Sequence, residues 1–191
     1  MNIFCHIKSV IKRLMNKNFN LRSHIKYANI KLFKKNIKLS DEVIFDKRSN
    51  IRVVSGKAYI GEYLRIKEGS EISVISGELH IGNGVFVNRN CIITCRKSII
   101  IGDEVTFGPN VTIWDHDHKF DKNQVYGTEY KTGEIIIGKG CWIGAGAIIL
   151  RNTRVGEGSV IGAGTVVKGD IPPHSLVTMG RDLIIRPIRD K

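Results

Sequence analysis

Two histidines stand two residues apart in the run Trp114-Asp115-His116-Asp117-His118-Lys119. Histidine, with an ordinary pKa of about 6.5, can take a proton at neutral pH, so either imidazole suits removal of a proton from an attacking hydroxyl. Asp115 and Asp117 flank them. A carboxylate can orient an imidazole through its second ring nitrogen, and aspartate is equally a turn former. Asn88, in Asn88-Arg89-Asn90, offers an amide that orients a hydroxyl, and asparagine is equally a corner residue. The cysteines Cys5, Cys91, Cys95 and Cys141 form no CxxC pair. They read as reduced structural thiols of a cytoplasmic protein, with no covalent role. His80, His116 and His118 are the candidates for a zinc triad across subunits, and two of them on one loop is poor spacing for it.

These residues must be held by something, and the sequence names it. Ile137, Ile143, Ile149, Val155, Ile161 and Val167 recur every sixth residue. Small residues follow four positions later, at Cys141, Ala147, Thr153, Ser159 and Thr165, and glycine follows at 138, 144, 156 and 162. The frame also runs through Ile60, Ile66 and Ile72, then Ile81, Val87 and Ile93, then Ile101, Phe107 and Ile113, slipping between the sets. A period of six is neither the 3.6 of a helix nor the 2 of a strand. It suits a short strand plus a corner, with the aliphatic residue inward and glycine permitting a sharp turn or a close approach. Three units close a triangular coil of eighteen residues, and about six coils stacked about 4.8 Å apart make a prism on the order of 30 Å tall. The fold class expected is an all-β solenoid over residues 39–171, with a tail over 172–191.

Between Ile113 and Ile137 the frame disappears. Residues 114–134 are expected as a loop extruded from the prism, and such loops carry function. Residues 1–38 form a separate arm with apolar positions at helical spacing (Ile3, Phe4, Ile7, Ile11, Leu14, Met15). Two readings of that arm stand: a helix packed on its own prism, or a basic amphipathic helix on an anionic membrane surface. Ten of the twelve net positive charges sit there, because residues 1–40 hold ten Lys/Arg and no acid, leaving 20 basic against 18 acidic residues elsewhere. A near-neutral body argues against nucleic acid as a partner. No apolar run reaches the length of a spanning helix, and no secretory signal is expected.

The hexads resemble those of the hexapeptide-repeat transferases, a resemblance that implies a left-handed parallel β-helix. Within that class, Asn88-Arg89-Asn90, Gly108-Pro109-Asn110, His118, Tyr126-Gly127-Thr128-Glu129-Tyr130, Trp142-Ile143-Gly144, Gly162-Ala163-Gly164 and Asp170-Ile171-Pro172-Pro173 resemble, in order and spacing, the CoA-dependent sugar O-acetyltransferases over residues 80–188. Galactoside, maltose and nodulation-factor acetyltransferases are familiar members.

The resemblance implies a homotrimer with acceptor site and CoA channel between subunits, and acetyl-CoA as co-substrate with no metal. It places the catalytic base five residues beyond Ile113, at His118, with His116 as its rival, and Lys119 departs from the usual proline. It puts Asn88 across from the acceptor, with Asp115, Asp117 and Glu129 on the acceptor side. Ala145, beside Gly144, supplies the oxyanion N–H. Trp142 lines the pantetheine channel or a trimer face. Ala163, Gly164 and Thr165 follow the pantetheine arm, and Lys168, Arg181 and Arg186 meet the CoA phosphates. Gly180-Arg181-Asp182-Leu183 departs from the family tail, and Cys95-Arg96 stands where galactoside enzymes carry aspartates. The acceptor implied is therefore not a simple galactoside. It is a hydroxyl of a surface polysaccharide or lipopolysaccharide precursor, met at the cytoplasmic face of the membrane. Antibiotic O-acetylation and a non-catalytic scaffold are the alternatives.

Overall fold

The computed structural model describes residues 36–40 and 42–179. The N-terminal arm up to residue 35, and Arg181 and Arg186 of the tail, lie outside the described residues. Those described contain strands and turns and no α-helix.

The strands wind as coils of three. The first coil is β1 (Ile37–Leu39), β2 (Ile44–Phe45) and β3 (Asn50–Val53). The second is β4 (Lys57–Ile60), β5 (Arg65–Ile66) and β6 (Glu71–Val74), and the third is β7 (Glu78–Ile81), β8 (Phe86–Val87) and β9 (Ile92–Cys95). The fourth, β10 (Ser98–Ile101), β11 (Thr106–Phe107) and β12 (Thr112–Trp114), is followed by an excursion, β13 (His116–Phe120) and β14 (Val125–Thr132). Winding then resumes with β15 (Ile135–Ile137), β16 (Trp142–Ile143) and β17 (Ile148–Val155), and ends in β18 (Val160–Ile161), β19 (Val166–Ile171) and β20 (Leu176–Val177).

Each strand pairs in parallel with its equivalent one coil on, which gives three faces. The second face is β2-β5-β8-β11-β16-β18-β20. Strands β17 and β19 run round the corner from the third face into the first, which joins those faces into one eleven-stranded sheet. The hexad aliphatics stack inside: Phe45, Ile66, Val87, Phe107, Ile143 and Ile161 on the second face, and Ile51, Ile72, Ile93, Ile113, Ile149 and Val167 on the third, all buried. No strand buries its inner face without the coils beside it, so the stack is one continuous core.

Three details differ from the sequence expectation. Along the first face, Ile37, Ala58 and Leu79 stack at intervals of 21 residues and Ile99 follows after 20, so the early coils exceed eighteen. The surplus collects at one place, the corner leading from the third face back to the first, at Ser55-Gly56, Ser76-Gly77 and Arg96-Lys97. This explains the slips in the frame. Upstream the small-residue rule holds four places after Phe45, Ile66 and Val87, at Ser49, Ser70 and Cys91, but fails after Ile60, Ile81 and Ile101, where Leu64, Val85 and Val105 fill the inward places. The coil also continues past 171, through β20 on the second face.

The glycine after each aliphatic residue serves the second of the two expected roles, close approach, rather than the turn. A Cβ on Gly144 would lie 2.6 Å from the backbone nitrogen of Ala163 in the next coil, so glycine there permits close passage of two chains. The left-handed turn falls two residues later, at Gly146 (φ 67°), stacked on Asn110 (φ 59°) and Asn90 (φ 56°). Asn90 is thus a corner residue.

Candidate active site

The excursion enters at the corner that carries the surplus residues, here called the third corner. It is a β-hairpin rather than the plain loop expected: β13 and β14 pair antiparallel, with His116 opposite Thr132 and His118 opposite Tyr130. Alternation along β13 turns His116 and His118 to one side, toward Tyr130, and Asp117 to the other, where it pairs with Arg151.

Asp115 roots the hairpin. Its side chain is fully buried, and its oxygens accept the backbone N–H groups of Arg96 (2.9 Å), Lys97 (2.6 Å) and Ser98 (3.0 Å) from the coil below. The Gly133 N–H returns to the Asp115 carbonyl at 2.8 Å, closing the base of the hairpin. A carboxylate so occupied does not bind substrate, which corrects the acceptor-side expectation for Asp115. It also contacts Nδ1 of His116, at 3.0 Å. Because the carboxylate only accepts, in the neutral ring that nitrogen carries the proton and Nε2 presents the lone pair. The imidazole is 13% exposed and stands edge-on to Tyr130, with centroids 5.4 Å apart. His118 is exposed, and its Nδ1 lies 3.3 Å from the Tyr126 carbonyl. Glu129, also exposed, is paired with Lys119 at 3.1 Å.

The other expected residues gather elsewhere. Asn88, Gly144, Ala145, Ala163 and Gly164 line the second corner, between the second and third faces, and Trp142 projects from the second face beside it, 56% exposed. The Ala145 N–H donates to no acceptor among the described residues, while its carbonyl receives Gly164 at 2.8 Å. Thr165 is buried, facing the interior, so its side chain does not line a surface channel. Asn88 Oδ1 receives the Arg89 N–H at 2.8 Å, a corner bond within its own turn. Lys168 lies where β19 passes the third corner, away from Ala163. Within one chain, therefore, the histidines stand at one edge of the third face and the Ala145 amide at the other, a strand's length apart.

The buried thiols are unsuited to nucleophilic work. Burial pushes Cys91 and Cys141 above the ordinary thiol range, and Cys95 is raised further by burial and by the negative charge of Asp115. His80 lies on the first face, stacked on Tyr59 at 4.5 Å and bonded to Glu78 at 2.6 Å, far from the other two histidines in the winding. Among the described residues no group of three or more His, Cys, Asp or Glu side chains is arranged to hold a metal.

Sequence reasoning did not single out Arg151, named Tyr130 only within a matched motif, and set Cys95-Arg96 where galactoside enzymes carry aspartates without giving Arg96 a role of its own. Arg96 lays its guanidinium carbon 3.6 Å from the Tyr130 ring centroid. Only the hairpin register brings these residues together.

Comparison with known proteins agrees with this architecture. Residues 134–169 match the bacterial transferase hexapeptide (six repeats) family. The chain is 41% identical over 107 residues to a putative acetyltransferase of Schizosaccharomyces pombe, covering 56% of this chain and 51% of that protein. It is 35% identical over 108 residues to the galactoside O-acetyltransferase of Lactococcus lactis, covering 56% and 52%. The chain thus spans about half the length of the curated relatives it matches. In fold it is similar to the N-acyltransferase AntD of Bacillus cereus, solved with dTDP and coenzyme A, at a TM-score of 0.66 and 21% identity over 79% of this chain and 82% of that one. In its hexads and stacked coils the chain is similar to the hexapeptide-repeat transferases, over residues 134–169 in the family match and in fold over most of its length.

Proposed function

We propose that the protein is an acetyltransferase that moves the acetyl group of acetyl-CoA to a sugar hydroxyl by direct transfer, at a site shared between copies of a homotrimer. The observation that carries this reading is His116, held by a buried carboxylate at the root of a hairpin that projects from the prism.

The resemblance in sequence counts to His118, but the geometry favours His116 as the base. Asp115 fixes its tautomer and stabilises the imidazolium once a proton arrives. His118, exposed and bonded to a carbonyl, sits one pair further along the hairpin. In the reaction, Nε2 of His116 takes the acceptor's hydroxyl proton as its oxygen attacks the thioester carbonyl. The C–O bond forms, the carbonyl oxygen gains negative charge, and the C–S bond then breaks. The imidazolium returns its proton to the leaving thiolate. The Ala145 N–H is placed to receive the developing oxyanion, with Gly144 and Gly146 keeping the approach open. No covalent enzyme intermediate is required.

Base and amide stand at opposite edges of one face, so the reading requires a second copy. A cyclic, head-to-tail contact sets the third corner of one chain against the second corner of the next. The hairpin tip supports such a contact, since the paired Phe120 and Val125 are 66% and 68% exposed. A trimer is our reading, from the resemblance. The pantetheine arm would then pass Trp142, Ala163 and Gly164, with Lys168, Arg181 and Arg186 as the cations for its phosphates.

The acceptor belongs to a surface polysaccharide or lipopolysaccharide precursor. The ten cations of residues 1–40, with no acid among them, support work at the cytoplasmic membrane face. Release of CoA from acetyl-CoA, measured with a panel of sugars and aminoglycosides, tests the activity. Sugar-dependent release that is lost in His116→Ala supports the reading. Release with aminoglycosides alone favours antibiotic acetylation, and none with any acceptor leaves a scaffold.

A further inference from the structure

We infer that Arg96 makes this an enzyme for anionic acceptors, its guanidinium binding an oxyanion on the sugar whose hydroxyl His116 deprotonates. The inference rests on the acetyl-transfer reading above and narrows it to one class of acceptor.

Three observations carry it. First, Arg96 is fixed in place. Its backbone N–H is bonded to both oxygens of Asp115, at 2.9 and 3.0 Å, and its guanidinium carbon lies 3.6 Å from the centroid of Tyr130. A stacked guanidinium has already lost much of the freedom it would give up on binding.

Second, the group has no counter-ion among the described residues. Its Nε is buried with no hydrogen-bond partner. The acids of the hairpin are engaged elsewhere: Asp117 with Arg151, Glu129 with Lys119, Glu134 with Arg154, and Asp121 with the Tyr126 hydroxyl. Asp115 is filled by three backbone amides and an imidazole. An arginine built only to brace the fold would satisfy its polar atoms, because an unpaired buried donor costs stability.

Third, the position is beside the chemistry. Tyr130 is shared, with the guanidinium against the ring at 3.6 Å and the His116 imidazole edge-on at 5.4 Å, so an acceptor under the base lies within reach of the fork. The planar fork matches a carboxylate or phosphate through two parallel hydrogen bonds, which a neutral hydroxyl cannot supply. The acceptors that fit are an acidic sugar bearing a carboxylate and a sugar phosphate.

The test compares methyl glucuronide, glucose 1-phosphate and neutral methyl glucoside as acceptors for the full-length protein with acetyl-CoA. Equilibrium binding of the same three is followed in parallel by ligand-observed NMR. At least one charged probe should exceed the neutral one in kcat/KM and in binding, on the order of tenfold to a hundredfold. Which probe wins separates a carboxylate from a phosphate. Arg96→Gln should bring the ratio toward one, and Arg96→Lys should keep part of it, with melting curves reporting whether each variant folds. Equal or better use of the neutral sugar, or an unchanged ratio in a folded Arg96→Gln, would overturn the inference. Absence of acetyl transfer to every probe counts against the acetyl-transfer reading alone. The binding arm still decides on Arg96, because charged probes that bind no better than methyl glucoside refute it.

Discussion

Asp115 Oδ1 lies 3.0 Å from Nδ1 of His116, and the same carboxylate holds three consecutive backbone amides of the neighbouring coil. One buried side chain therefore ties the imidazole to the rigid prism. The hairpin is not a loose appendage but an extension of the corner beneath it.

Replacing that carboxylate should injure both structure and chemistry. Asp115→Asn leaves one acceptor oxygen and turns an NH2 toward donors, so stability should fall by about 2–3 kcal/mol. Acetyl transfer should fall as well, in kcat more than in KM. His116→Gln keeps the anchor, so it should lose transfer while unfolding near the wild-type urea midpoint. Urea titrations and initial rates on the two variants separate the effects. Equal stability loss in both would refute the anchoring role.

The core should behave as a stack rather than a ball. Ile113 is fully buried and lies between Ile93 below and Ile149 above. Ile113→Ala should cost about 2–5 kcal/mol, through lost transfer energy and the cavity left between fixed rungs. Hydrogen exchange should show the loss of protection concentrated in the adjoining coils, since each coil contacts only its neighbours. Uniform loss over all coils would contradict this.

Thiol chemistry gives a pH prediction whose sign follows from burial. Cys91, Cys95 and Cys141 have their pKa raised in the folded state, chiefly by desolvation. Below the ordinary thiol pKa both states are neutral and the full stability is present. Above it the unfolded thiols ionise while the folded ones resist, so stability should decline as pH rises past about 8.5. Urea midpoints measured from pH 7 to 10 should fall over the upper part of that range. Iodoacetamide should label these three thiols much more slowly in the native than in the urea-unfolded protein. Rapid native labelling would show that one of them is exposed.

How much of this was legible in the sequence depends on the range of the contact. The hexad frame was legible because Ile137 to Val167 repeat a local geometric demand, inward aliphatic and close-passing glycine, at every strand. The slips in the frame were visible but not their cause, because only stacking shows that the surplus at Ser55, Ser76 and Arg96 falls on one corner. The histidines were visible as a pair, but choosing between them needed the contact of His116 with the buried Asp115 carboxylate. Asp115 was legible as an orienter of an imidazole, a turn residue or a substrate ligand, but not as the anchor of the hairpin, since its three amide partners lie 17 to 19 positions away. Arg96 and Tyr130 carry no local signal of their contact. Their meeting follows from the register of a hairpin that has no repeat to announce it.

The central claim is that the base and the oxyanion donor come from different copies of the chain, and subunit complementation tests it most directly. Ala145→Pro removes the donor N–H. The fold already accepts proline at the equivalent place one coil below, where the Pro109 carbonyl receives the Gly146 N–H at 2.9 Å. His116→Ala removes the base. Each variant alone should be inactive in sugar-dependent CoA release. When the two are unfolded together in equal amounts and refolded, random assembly restores one intact pair in about a quarter of the seams, so activity should return to about 25% of wild type. Mixed assemblies that stay inactive, although each variant folds and assembles, would contradict a site shared between copies.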